Sequence, residues 1–137
     1  MNTFTLVVLA AEKPFYEGEC ESLVIPTING RYGILPNHHN MIVAIVPGML
    51  KMIDCNGEET VAAVSSGITK VEDNHVLIMV DTIERPEEID ENRAKSSVAE
   101  AKEAILQKKS IQDYYAAQAK MARAITRLRV KKHNDLY

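Results

Sequence analysis

The sequence contains no tryptophan and only two phenylalanines in 137 residues. Any core must therefore be assembled from Val, Ile, Leu, Met and Ala. Long hydrophobic runs are also missing, and no stretch approaches the roughly 20 apolar residues that cross a bilayer as a helix. The opening M-N-T-F-T-L-V-V-L-A-A-E-K lacks a basic leader, and its short apolar run ends in charges, so no secretory signal is expected. Membrane association is expected only through a partner. The two cysteines, Cys20 and Cys55, form no C-x-x-C motif and read as reduced structural thiols of a cytoplasmic protein.

The usual catalytic and phosphate-binding signatures are absent as well. There is no G-x-x-x-x-G-K-[ST] loop and no G-x-G-x-x-G, so a nucleotide would have to be held without either. Ser65-Ser66-Gly67 is not a G-x-S-x-G elbow. Of the four histidines, His38 and His39 are adjacent, and neighbours on an extended chain point to opposite sides. Zinc needs three or four ligands, and His75 and His133 lie in separate segments. Neither a metal site nor a catalytic residue is expected.

What is present divides in two. Residues 1–84 carry 4 basic and 11 acidic side chains, and residues 85–137 carry 12 and 8. The halves are thus −7 and +4, which suggests different partners for each. The first half holds short runs rich in β-branched and aliphatic residues, such as T-L-V-V-L-A and H-V-L-I-M-V. Turn signals separate them, including I-N-G-R, C-N-G-E and E-D-N-H. That pattern predicts an antiparallel sandwich over 1–84.

From Ile89 onward there is neither Pro nor Gly, and Ala, Lys, Glu, Gln and Arg dominate. Two helices are predicted, over about 88–107 and 112–132, forming an antiparallel hairpin within 85–137. Their apolar faces are Ile89, Ala94, Val98, Ala101 and Ile105, then Tyr114, Ala117, Met121, Ala124, Ile125 and Leu128. Ser110 with Asp113 fits a cap before the second helix. Alanine-rich faces bury little area, so the hairpin should lean on the β half or on a partner. Between Lys120 and Lys132 lie six bases and no acid. Composition leaves open a solvated face, docking on an acidic protein, or nucleic acid; the acidic β half argues against the last.

The order of these features resembles the epsilon subunit of bacterial F-type ATP synthases. G-R-Y-G-I-L-P-N-H-H-N (residues 30–40) resembles that family's G-x-x-G-I-L-P-G-H-x-P signature, with Asn37 at a glycine position. Pro47-Gly48, the strands from Ser65 to Thr82, I-D-E-N-R-A (Ile89 to Ala94) and A-I-T-R-L-R-V (Ala124 to Val130) extend the likeness over nearly the whole chain. The resemblance implies an α+β fold: an amino-terminal antiparallel β-sandwich of about ten strands, then a two-helix hairpin. It implies a non-catalytic rotor subunit of a proton- or sodium-translocating ATP synthase, peripheral on the cytoplasmic side of the bacterial membrane. Its partners would be the gamma subunit, the c-subunit ring and, in an inhibited state, the beta and alpha catalytic subunits.

The resemblance also implies site residues. Glu84, Ile89, Asp90, Arg93, Ala94, Arg123 and Arg127 match an ATP-binding motif of some bacterial members. ATP would be a regulatory ligand rather than a required cofactor. Glu100 stands where ATP-binding relatives can carry a further arginine. Arg31 and His38 match the c-ring contact region, although position 31 is often acidic in the family. Arg123, Arg127 and Arg129 would meet a beta subunit when the hairpin extends. From another class, a free-standing β-sandwich nucleotide sensor with a helical lid would keep the same cavity residues and need no gamma subunit.

Overall fold

The computed structural model describes residues 2–107 and 111–135. Among them are nine strands: β1 (Phe4–Ala10), β2 (Pro14–Thr27), β3 (Gly30–Ile34), β4 (Met41–Ile45), β5 (Gly48–Asp54), β6 (Glu59–Val64), β7 (Gly67–Glu72), β8 (His75–Val80) and β9 (Ile83–Glu84). A single 3₁₀ turn at Pro86–Glu88 leads into α1 (Glu91–Gln107) and α2 (Ile111–Asp135). The expected β-then-α order is therefore the observed one. The helices start and end within a few residues of the predicted bounds. The expected Ser110 cap lies outside the described residues.

The strands run in the order β4-β7-β8-β1-β2-β5-β6-β9, with β3 added to β2. β2 serves two layers of the sandwich. It pairs with β1 up to Cys20, then with β5 and β3 beyond it. Its register against β5 slips between Cys20 and Ser22, and such an irregularity bends a strand. Alternate residues then point into the space between the layers, as a period of two requires. Phe4, Leu6, Val8, Leu23, Ile25, Ile34, Leu50, Met52 and Ile78 are the large side chains enclosed there. This aliphatic core fits a chain without tryptophan.

One expectation needs correction. The pairing is mixed, not purely antiparallel, because β1 and β8 run parallel from Thr5 opposite His75 to Ala10 opposite Val80. Alternation of apolar residues encodes which face is buried but carries no strand direction. The intervening hairpins return the chain to the flank of β1 in the same sense, and no local signal marks that.

The turns are built from the residues that signalled them, with one shift. The β2–β3 loop is Ile28-Asn29, and Gly30 opens β3 at φ +106°. Thr27 Oγ1 donates to the Gly30 carbonyl at 2.7 Å and holds the loop shut. Asp73 and Asn74 both have positive φ, 49° and 64°, as a tight two-residue hairpin requires. Asn37 has φ 62°, so it takes the left-handed conformation that a glycine would supply.

α2 lies against β5 and β6, and α1 packs on α2. The alanines make this close approach feasible: Ala94 and Ala101 of α1 and Ala117 and Ala124 of α2 are buried. Val98, Ile105, Met121, Ile125 and Leu128 are half-buried, while Tyr114 of the expected face is exposed. Where hairpin and sandwich meet, Val61, Ala63, Ile89 and Val130 form a small second core with Met49 against it. Arg85 adds a cation–π contact, its guanidinium 4.4 Å from the Phe15 ring centroid.

Glycine is required unequally. A Cβ on Gly67 would lie 2.2 Å from the Met79 carbonyl oxygen, whereas one on Gly33 would meet nothing within 4 Å. Gly67→Ala should cost at least about 1–3 kcal/mol through forced backbone movement, and Gly33→Ala should stay within about 0.5 kcal/mol of the parent. Urea unfolding of the two variants checks the contrast.

Candidate functional site

β9, the start of α1 and the middle of α2 enclose a cavity of about 380 Å³. Its acids are Glu84, Glu88 and Asp90, its bases Arg93, Lys120, Arg123 and Arg127, and Ala94 and Ser97 complete the wall. The structure thus brings together six of the seven residues expected at an ATP site. Ile89 is the exception. It belongs to the small second core with Val61, Ala63 and Val130, so it anchors the hairpin behind the cavity.

Local structure explains each placement. Asp90 Oδ1 accepts a hydrogen bond from the Arg93 backbone N–H at 3.0 Å, the N-cap geometry that satisfies an orphan donor of the first turn. The start of α1 is thereby fixed, and Arg93 and Ser97 follow four residues apart on one face. On α2, Lys120, Arg123 and Arg127 recur at helical spacing and reach the cavity from the other side. Glu88, Ser97 and Lys120 escaped the sequence reading. The spacing of Lys120 to Arg123 and Arg127 was the available signal.

Two ion pairs tie the cavity walls. Arg127 Nε donates to Glu84 Oε1 at 2.6 Å, with both side chains about one-third exposed or less. This contact joins residues 43 positions apart and links α2 to β9. Lys120 Nζ donates to Glu100 Oε2, also at 2.6 Å, and links α2 to α1. The hydrogen bond from Lys120 holds the Glu100 carboxyl below the usual carboxylate range. Its contribution is present above that range and is lost as pH falls through the lowered value. Glu100 is thus neutralised across the hairpin rather than facing the cavity as an isolated charge. Among the described residues, neither Arg93 nor Arg123 has an ion-pair partner. Two unpaired guanidiniums facing one cavity can grip a phosphate chain bidentately without a glycine loop.

The other expected sites lie elsewhere. Arg31 is exposed on β3 beside the β2–β3 loop. His38 is half-buried and turned into its own loop. Its Nδ1 donates to the His39 carbonyl at 2.8 Å, and its Nε2 accepts from Tyr32 Oη at 2.8 Å. Both ring nitrogens are therefore engaged in shaping the turn. Arg129 is exposed on α2, away from the cavity between α1 and α2. Ser65 is buried, and its Oγ accepts from the Thr82 backbone N–H at 2.8 Å. That is a structural role, as expected for a serine outside an elbow.

Residues 3–86 match the family described as ATP synthase, Delta/Epsilon chain, beta-sandwich domain, and residues 87–132 match its long alpha-helix domain. The chain belongs to the ATP synthase delta/epsilon family. An ATP synthase epsilon chain of Clostridium novyi is 39% identical, covering 93% of this chain and 96% of the relative. One from Chloroflexus aggregans is also 39% identical, covering 91% and 89%. A chain of the Euglena gracilis mitochondrial ATP synthase, solved with OSCP, F1 and c-ring, has the same fold. Its TM-score is 0.83 at 18% identity, over all of this chain and 83% of that one. The residues of the delta/epsilon likeness thus include both the sandwich and the hairpin that frame the cavity.

If the Arg127–Glu84 pair holds α2 down, Arg127→Ala and Glu84→Gln should each weaken docking by about 1–2 kcal/mol, or roughly five- to thirtyfold. Hydrogen exchange should quicken in α2 and leave β1 and β8 unchanged. Equal protection of α2 in parent and variants would remove the pair from this role.

Proposed function

We propose that this epsilon-type chain is a rotor-stalk subunit that joins the gamma subunit to the c-subunit ring. Its hairpin brakes ATP hydrolysis when it extends, and ATP holds it folded. The observation that carries the reading is the seam itself. Among the described residues, hairpin and sandwich meet through a small buried aliphatic cluster, the Arg127–Glu84 ion pair and the longer His133–Glu59 contact, beside a cavity with two unpaired guanidiniums. Such a seam is weak enough to open and has the chemistry for a phosphate chain to keep it shut.

Adenosine triphosphate suits the cavity by charge and size. Its triphosphate would bridge Arg93 of α1 and Arg123 of α2, so binding requires the two helices to be apposed. A ligand that binds the folded state alone shifts the population toward it. When the hairpin opens, Arg127 is released from Glu84 and joins the exposed Arg123 and Arg129 in a basic face for an acidic surface on a beta subunit. That attraction is Coulombic and weakens with salt.

The sandwich supplies support for the gamma contact. Ala44, Ile68, Met79 and Leu9 lie opposite one another across β4, β7, β8 and β1. Ile42, Lys70, Leu77 and Val7 form the next row. Ile42 is 67% exposed and Met79 45%. An apolar stripe on the layer facing away from α2 is a docking surface in search of a partner. The exposed Arg31, with the β2–β3 loop, is proposed to meet the c ring.

Calorimetric titration with ATP should give one site per chain, weakened about tenfold or more by Arg93→Ala or Arg123→Ala. Equal affinity in parent and variants would remove the nucleotide role. In the assembled enzyme, truncation after Glu88 should leave the complex intact and raise ATP hydrolysis, and an unchanged rate would sink the brake. Ile68→Asp should abolish co-purification with gamma while the isolated chain stays folded by circular dichroism; retained gamma would exclude the stripe.

A further inference from the structure

A second cavity, of about 410 Å³, opens between the β2–β3 loop, the Val46–Met49 turn and the last turns of α2. It differs in charge from its neighbours along the same seam. The nucleotide-sized cavity has Glu84, Glu88 and Asp90 in its wall, and the opening around Arg85 has Glu58, Glu59 and Glu87. This one has Arg31, Arg129 and His133 and no acidic residue at all. Thr27 and Thr126 add hydroxyls.

The arrangement gathers positive charge with no acid to balance it. Residues 1–84 contain only four bases, and one of them, Arg31, faces Arg129 of the other half across this opening. Neither guanidinium has an ion-pair partner among the described residues. His133 is shared with Glu59, whose carboxylate lies 3.5 Å away in the adjoining opening. Both guanidiniums are exposed at the mouth of the recess, and like charges brought together there repel across solvent. An oxyanion reverses the sign. Two planar guanidiniums from different elements offer bidentate donors to tetrahedral oxygens, and threonine hydroxyls can donate to the remaining ones.

We propose that this recess binds a small phosphoryl dianion, with Arg31 and Arg129 as its two principal ligands. Arg31 and Thr27 come from the sandwich, Thr126 and Arg129 from α2. The anion therefore bridges the two halves and is bound only while the hairpin is folded. It acts as a second latch at the carboxy-terminal end of α2, distinct from the cavity between α1 and α2. The inference needs neither ATP binding nor assembly with other subunits.

The experiment uses the full chain at low ionic strength, with inorganic phosphate as the probe and amide resonances as the readout. Saturable shifts are expected at Thr27, Arg31, Thr126 and Arg129. Arg31→Ala and Arg129→Ala should each weaken them about tenfold or more, while Arg93→Ala and Arg123→Ala should leave them unchanged. Hydrogen exchange in the last turns of α2 should slow as phosphate saturates. The proposal is overturned if these amides show no saturable shift. It is equally overturned if Arg93→Ala or Arg123→Ala removes the shifts and Arg31→Ala does not, because phosphate is then occupying the other cavity.

Discussion

The contact between Arg127 and Glu84, the shorter of two charged crossings among the described residues, is the constraint around which the two halves are arranged. It is the charged crossing between β9 and α2, and the apolar contacts beside it are few. Val61, Ala63, Ile89 and Val130 together offer far less area than the interior of the sandwich. A pair about one-third exposed is neither strongly screened nor deeply desolvated, so it contributes without trapping the hairpin. The same guanidinium lines the cavity. Anything that draws Arg127 toward phosphate, or toward a partner's carboxylate, acts directly on the attachment of the hairpin.

The helices illustrate how composition sets mechanical character. Alanine at 94, 101, 117 and 124 lets α1 and α2 approach closely but gives each contact little area. Leucine at those places would thicken the core and spread the helices. The present choice yields a closely apposed hairpin in which each contact buries little area. Lys120 and Glu100 supplement it with a charged strap near the outer rim. Glu100, which stands where ATP-binding relatives can carry an arginine, is therefore an internal fastening.

The sandwich was legible because its signals are local. Alternation along β1 and β8, Asp73-Asn74 at a tight turn, and Asn37 at a left-handed position are written in consecutive residues. The helix face bearing Arg123 and Arg127 was legible for the same reason. What escaped depends on distant residues meeting. The parallel pairing of β1 with β8 joins segments 70 positions apart at Thr5 and His75. Lys120 acquires its partner from another helix, and Ile89, matched to a ligand motif, packs in the second core. His38, matched to the c-ring contact region by resemblance, has both ring nitrogens turned to Tyr32 and the local backbone.

The parallel pairing also sets an order in time. β1 lies mid-sheet and cannot acquire its β8 neighbour until Val80 has left the ribosome, whereas every contact of the hairpin is made by residues synthesised later. Domains tend to fold as units from the amino terminus during synthesis. The nascent sandwich can therefore close before either helix has emerged, and α2 arrives at a finished surface. A segment added last to a complete body can also leave it without unravelling that body. The chain thus separates, by position alone, a sandwich that can be completed first from a hairpin laid onto it afterwards.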